Sequence, residues 1–253
     1  MSRSNPTSHQ ANPSTRWHEW DGSNGAIRYY DKEKKENIVL KLPFVFLVLD
    51  ELYRASGWSE RNKCGITSNE IRDIVADPMV VKAHKGGVIA AGVWKDIKPI
   101  VTVAGGHFEE NIYIGYRPAG GKELKVGSLC LKGAALNAWV EFRKANRNAL
   151  LTKAIKITGF TKGKKGKIEF CVPTFALLDV TEATNEEAKA LDLQLQEYLK
   201  GYFSRPKSDH PATPPSGAVP DEHYQHDAPP DDPGDVPAGT EGEPPAESED
   251  VPF

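Results

Sequence analysis

The stretch AIKITGFTKGKKGKIEFCVPTFALL, Ala154 to Leu178, decides how the rest of the chain is read. Both of its ends are rich in β-branched and aromatic residues, which fit a pleated, half-buried surface. Its middle, Thr161-Lys-Gly-Lys-Lys-Gly166, is basic and glycine-containing. Two strand-like runs joined by such a connection mark a hairpin. The expectation is a strand over Ala154–Phe160, a long exposed loop over 161–166, and a returning strand over Lys167–Leu178.

Strand character also dominates upstream. Asn37 to Leu49 is β-branched and aromatic, with Pro43 forcing a bulge or break, and the pattern continues through Tyr53 to Trp58. Met79–Lys82, Asn111–Tyr116 and Leu124–Leu131 read as further strands, and Thr67–Glu70 as a turn or cap. Ala90–Ile97 has helical spacing, which Pro99 should end. Ala134–Arg147 is a helix: Ala135, Trp139 and Phe142 recur on one face, and Arg143, Lys144 and Arg147 suit its C-terminal dipole. Thr184-x-x-Glu187 reads as a capping box for a helix to about Phe203. Many strands with helices inserted give a mainly β fold (α+β). An OB-fold-like, partly open barrel fits short strands, a basic hairpin and glycine-rich turns.

Charge divides the chain. Beyond Lys207 lie 12 of its 35 acidic residues and none of its 32 Lys and Arg, so residues 1–207 carry +9 and residues 208–253 carry −12. Twelve of 19 prolines fall in 206–253. Such composition cannot build a core, so 208–253 is expected to be a disordered acidic tail. Residues 1–15 read as a flexible lead and 16–207 as the binding domain. No apolar run approaches the ~20 residues of a membrane span, so no membrane partner is expected and the cytoplasm is the expected location. Cys64, Cys130 and Cys171 are too scattered for a disulfide framework or a cysteine zinc site, and Cys130 and Cys171 read as small core residues.

No phosphate loop, H-E-x-x-H, G-x-S-x-G or EF-hand motif is present. The histidines lack metal-ligand spacing, and no cofactor is expected. Basic residues instead interleave with aromatics: Arg28-Tyr29-Tyr30; Trp94-Lys95 with Lys98; Tyr113; Tyr116-Arg117; and Phe160 leading into Lys162, Lys164, Lys165 and Lys167. Single-stranded nucleic acid requires this pairing, since cations meet phosphates and flat rings stack on bases. Tyr29, Tyr30, Trp94 and Tyr116 have charged neighbours and are the expected exposed rings; Tyr113 is open either way. Phe44, Phe46, Trp139 and Phe142 are expected in the core.

The chain closes on Glu249-Asp250-Val251-Pro252-Phe253. An aromatic ring, a proline-fixed approach and a terminal carboxylate make a compact docking element, with the upstream acids steering encounter. This tip is similar to the acidic tip of bacterial single-stranded DNA-binding proteins. The body, over about 40–180, resembles phage-encoded single-stranded DNA-binding proteins with an elaborated OB-fold. The stretches Ser68-Asn69-Glu70-Ile71, Trp94-Lys95-Asp96-Ile97-Lys98, Tyr113-Ile114-Gly115-Tyr116 and Leu131-Lys132-Gly133-Ala134-Ala135-Leu136-Asn137-Ala138-Trp139 carry that likeness. It implies sequence-nonspecific binding of single-stranded DNA in replication, recombination or repair. It also implies recruitment of replication proteins (polymerase, helicase or primase) through the tip, competition between tail and DNA, and a host-cytoplasm location; a homo-oligomer is compatible. Two other classes stand beside it. One is a metal-dependent nuclease or nucleotide-handling enzyme using Asp50, Glu51 or Glu109. The other is a protein-only adaptor or DNA mimic, against which the +9 body speaks.

Overall fold

The computed structural model describes residues 11–205. The expectations for residues 1–10, for the acidic tail and for the tip Glu249–Phe253 lie outside those residues.

The described chain is mainly β with a few helices. In order it forms β1 (Trp17–Asp21), β2 (Ala26–Asp31), β3 (Glu36–Leu40), β4 (Phe44–Ser59), β5 (Cys64–Ser68), β6 (Met79–Ala83) and β7 (Gly87–Gly92). These are followed by α1 (Trp94–Val103), β8 (Gly106–Tyr116), β9 (Lys125–Lys132), α2 (Gly133–Asn146), β10 (Ala154–Lys165), β11 (Ile168–Leu178) and α3 (Glu182–Phe203). Neighbouring strands run β3-β2-β1-β9-β8-β4-β5-β6-β7, an open sheet, with β10 and β11 attached to β4.

β4 is the spine. Its first residues, Phe44–Phe46, pair with Ile157–Ile155 of β10, its last, Ser56–Ser59, pair with Thr67–Cys64 of β5, and β8 follows it along almost its whole length. The break at Pro43 lies where the sequence places it, between β3 and β4. On the other side β1 runs parallel to β9, pairing Trp17 with Ser128 and Glu19 with Cys130. The hairpin curls back until the Cys171 N–H donates to Gly22 O and Trp20 Nε1 donates to Cys171 O. Those two bonds bring β11 against the β1–β2 turn.

Four apolar clusters result among the described residues, the smallest being Leu47, Leu124, Ala154 and Ala188. One face of the central strands (Ile112, Ile114, Leu129, Leu131, Phe46, Ile155) packs on Leu136 and Trp139 of α2. Ala55, Ile66 and Val81 pack on Trp94, Ile97 and Val101 of α1. The opposite sheet face presents Leu52, Tyr113 and Val126 to Leu195, Tyr198, Leu199 and Tyr202 of α3.

Several local expectations change. Ala90 and Ala91 belong to edge strand β7, and the helix begins only at Trp94 with Pro99 inside it. The lost hydrogen bond is outweighed by burial of Trp94, Ile97 and Val101 on one stripe. Cys64–Ser68 is strand, so Thr67 and Ser68 are not in a turn. The cap of α3 is Thr181, whose side chain accepts from the Thr184 N–H; Thr184 lies inside the helix. Residues 161–165 are strand, not loop: Lys162 pairs with Cys171 and Lys165 with Ile168. Only Gly166 and Lys167 turn the chain, and Gly166 takes the positive φ (60°) that the tight turn needs.

Where β4 and β8 meet the β5–β7 strands, Trp58 N–H donates to Gly105 O, and a Cβ on Gly105 would stand 2.1 Å from Trp58 O at φ +93°. Gly105→Ala should therefore destabilise the fold by about 1–3 kcal/mol. Thermal unfolding should show a Tm lower by roughly 2–12 °C; an unchanged Tm would contradict this account of the crossing.

Candidate nucleic-acid interface

Cross-strand partners share a sheet face, so the register alone maps the face opposite α1 and α2. One line of partners runs Val39, Arg28, Glu19, Cys130, Asn111, Leu52. A second runs Lys132, Glu109, Arg54, and a third runs His107, Ser56, Thr67, Lys82, Val88. The face therefore crosses the whole open sheet. α3 covers the part around Leu52, Tyr113 and Val126. Away from it Val39 and Val88 are exposed, while Arg28, Tyr30, Lys132, His107, Lys82, Trp17 and Trp58 are half-buried.

A polar network floors this face. Arg54, wholly buried, is ion-paired with Glu109 and donates to Cys130 Sγ at 3.2 Å. Ser56 Oγ donates to Glu109 Oε2 at 2.8 Å, and His107 Nε2 lies 3.7 Å from that oxygen. Burial pushes the Glu109 carboxyl up, but Arg54, His107 and Ser56 together outweigh it and hold the acid well below the usual range. Burial, with Lys132 beside it, pushes His107 down, which keeps the ring neutral near pH 7. Glu70, reaching in from the loop after β5, accepts from Asn111 Nδ2 (2.5 Å) and Tyr113 OH (2.9 Å). Arg28 is ion-paired with Glu19, with Asp21 3.8 Å away. Lys32 stands over the Trp17 ring at 5.7 Å.

The hairpin meets one end of this face. It is tied to the β1–β2 turn at Cys171, opposite Lys162, and its lysines 162, 164, 165 and 167 are exposed. Lys164 faces Glu169 at 4.0 Å.

Of the sequence-expected residues, the hairpin lysines, Arg28 and Tyr30 gather at this end of the sheet. Four rings do not. Tyr29 and Tyr116 are buried, packed edge-on against His18 at centroid distances of 5.7 and 4.7 Å. Burial lowers the His18 pKa to about 4, so that ring is a neutral core member. Trp94 is buried against Phe108, and Tyr113 is buried beneath α3 with its hydroxyl bound to Glu70. None offers a face to a base; their charged sequence neighbours point the other way. Lys95 and Lys98 sit on α1, on the opposite side of the sheet. Arg117 follows Tyr116 beside the start of α3, paired with Glu187 at 3.0 Å. Sequence reading missed Trp17, Trp58, Lys132 and His107. Strand alternation would have grouped them, but only the register shows which face lies open.

The three carboxylates of the enzyme reading diverge. Asp50 accepts from Arg72 (3.0 and 2.7 Å) and Gln196 (2.9 Å), Glu109 is bound to Arg54, and Glu51 accepts from Trp139 Nε1 at 3.0 Å and pairs with Arg143 at 2.9 Å. Among the described residues no group of three or more His, Cys, Asp or Glu is placed to hold a metal ion. No described helix is long and apolar enough to cross a membrane. Scans against protein-family models, curated proteins and solved structures returned no match to this chain.

Glu110, fully buried beside Glu51, shares Arg143 and the Trp139 N–H with it. One guanidinium cannot neutralise two carboxylates. Burial, and after Arg143's opposing pull the Glu51 charge, raise the Glu110 pKa to about 8. A folded pKa above the unfolded one means stability that is full below the ordinary carboxyl pKa of 4.5, falls as pH rises toward about 8 and is gone above it. Denaturant unfolding from pH 6 to 9 should show that decline, and Glu110→Gln should flatten it. A decline that persists in the variant would assign it to another group.

Proposed function

We propose that this protein binds single-stranded DNA without sequence preference, as a non-enzymatic factor in replication, recombination or repair. The observation that carries the reading is the open sheet face, where half-buried Arg28, Tyr30, Lys132 and His107 lie between the lysine hairpin and the β5–β7 insertion. Such a surface offers cations to phosphates and rings to bases over a long track.

The connectivity supports an OB-fold-like reading. β4, β8 and β9 form a meander, α2 follows its third strand, and β10 returns to β4 with β11 beside it. In that reading the insertion occupies the first loop and the lysine hairpin the loop between the last two strands. OB-folds bind oligonucleotides with those two loops and the face of strands two and three. β1 stands where the barrel would close, next to β9.

Oligo-dT titrations at several salt concentrations test this. Each phosphate contact contributes about −0.7 to the log–log salt slope for single strands. Lys162→Ala and Lys167→Ala should each weaken binding and make the slope shallower by roughly that amount. Absence of binding at low salt, with 208–253 removed, would reject the reading.

The −12 segment tethered to a +9 body is proposed to compete with DNA. Its removal should tighten binding at low salt, and equal affinities would reject the competition. The tip Glu249–Phe253 is proposed to dock replication proteins, so deleting Phe253 should abolish partner capture and spare DNA binding.

A further inference from the structure

Phe160 and Phe203 are the two aromatic side chains classed as exposed among the described residues. Phe203 is occupied: Arg72 stands over its ring at 5.3 Å, and Tyr202 packs on it edge-on. Phe160, 41% exposed, has neither a ring nor a cation packed on it among the described residues. An isolated exposed ring usually swings freely. This one does not have that room. It lies against Gly25 in the β1–β2 turn, so close that a Cβ on Gly25 would come within 2.5 Å of its Cδ1 and Cε1 atoms. Gly25 has φ +65°, the left-handed region that favours glycine, so the turn geometry and the ring's seat call for the same residue.

The support is rigid as well as close. Cys171 N–H donates to Gly22 O at 2.7 Å, and Trp20 Nε1 donates to Cys171 O at 2.9 Å. These bonds fix β11 to the turn that carries Gly25. β11 in turn fixes β10, with Phe160 opposite Pro173 and Lys162 opposite Cys171. Phe160, Lys162 and Lys164 therefore follow one another on one face of β10. Alternate strand residues are about 6.6–6.8 Å apart. A flat apolar plate is followed by cations at regular steps.

We propose that Phe160, seated on Gly25, is a nucleobase-stacking platform at the mouth of the DNA track, with Lys162 taking the adjoining phosphate. The ligand class is an unpaired base of a single strand, since a paired base keeps its faces within the duplex. Every base has a π-face, so the platform selects for unpaired bases rather than for sequence. This rests on the single-stranded DNA reading above and adds the residue that meets a base.

The test compares an oligo-dT with an abasic oligomer of equal length, using the full chain at low salt. Phe160→Ala should weaken oligo-dT binding by about 5- to 150-fold, while abasic binding stays as in the wild type. Phe160→Tyr, which keeps the ring, should retain oligo-dT affinity. Lys162→Ala should weaken both ligands alike. A Phe160→Ala protein that binds oligo-dT as tightly as the wild type overturns the platform, as does an equal loss on both ligands. A wild type that binds neither oligomer overturns the DNA reading itself, and the two failures are thereby distinct. Thermal unfolding of Phe160→Ala within 2–4 °C of the wild type, roughly 1 kcal/mol, certifies that a loss is local; a larger fall shifts the decision to Phe160→Tyr, which must then keep its oligo-dT preference over the abasic ligand for the platform to stand.

Discussion

Backbone hydrogen bonding along β4 is the constraint from which the rest of the structure hangs. Sixteen residues, Phe44 to Ser59, hold β8 on one side. On the other side they hold β10 at the first end and β5 at the last. A strand buried in this way must satisfy its donors and acceptors on both edges. That requirement joins β8–β11 and the β5–β7 strands through shared ladders rather than a flexible linker. The close backbone crossing at Trp58 and Gly105 follows from it, because β8 must enter its long pairing with β4 directly beneath the turn that leaves β4.

With β4 fixed, the sheet has two faces with different chemistry. One carries Ile, Leu and aromatic side chains into α1 and α2. The other mixes Leu52, Tyr113 and Val126, which α3 covers, with a run of ionic residues. Buried charge is tolerated when paired and hydrogen-bonded, and the network supplies partners: Glu109 for Arg54, and Asn111 and Tyr113 for Glu70. These pairs hold the middle of the face while leaving its flanks half-open. The inner face meets it only in part, because Arg143 serves both Glu51 and Glu110 and the Glu110 carboxyl is pushed up.

The hairpin and the β1–β2 turn show how an exposed basic edge is tied down without a helix beneath it. Glycine in the turn lets a ring approach the backbone, and two hydrogen bonds lock the returning strand. Loops that meet ligands are ordinarily the mobile parts of a fold. Here strand pairing extends to Lys165, so Lys162, Lys164 and Lys165 stand on a ladder instead of a loop.

The chain by itself determined what depends on near neighbours. β-branched runs, the Pro43 break, the hairpin, the α2 stripe and the division into a +9 body and a −12 segment are local or compositional facts, readable without knowing any contact. Alternation also showed which residues travel together on one side of a strand. It could not show which side is covered, and that is why Tyr29, Trp94 and Tyr116 read as available to bases and Tyr113 stayed open either way. Tyr113 is closed off by a helix some eighty residues later in the chain, and Tyr29 by His18 and a strand pairing with β9. Burial is set by elements distant in sequence, so only the tertiary structure could separate the rings that build the core from Phe160, which glycine and two hydrogen bonds leave facing outward.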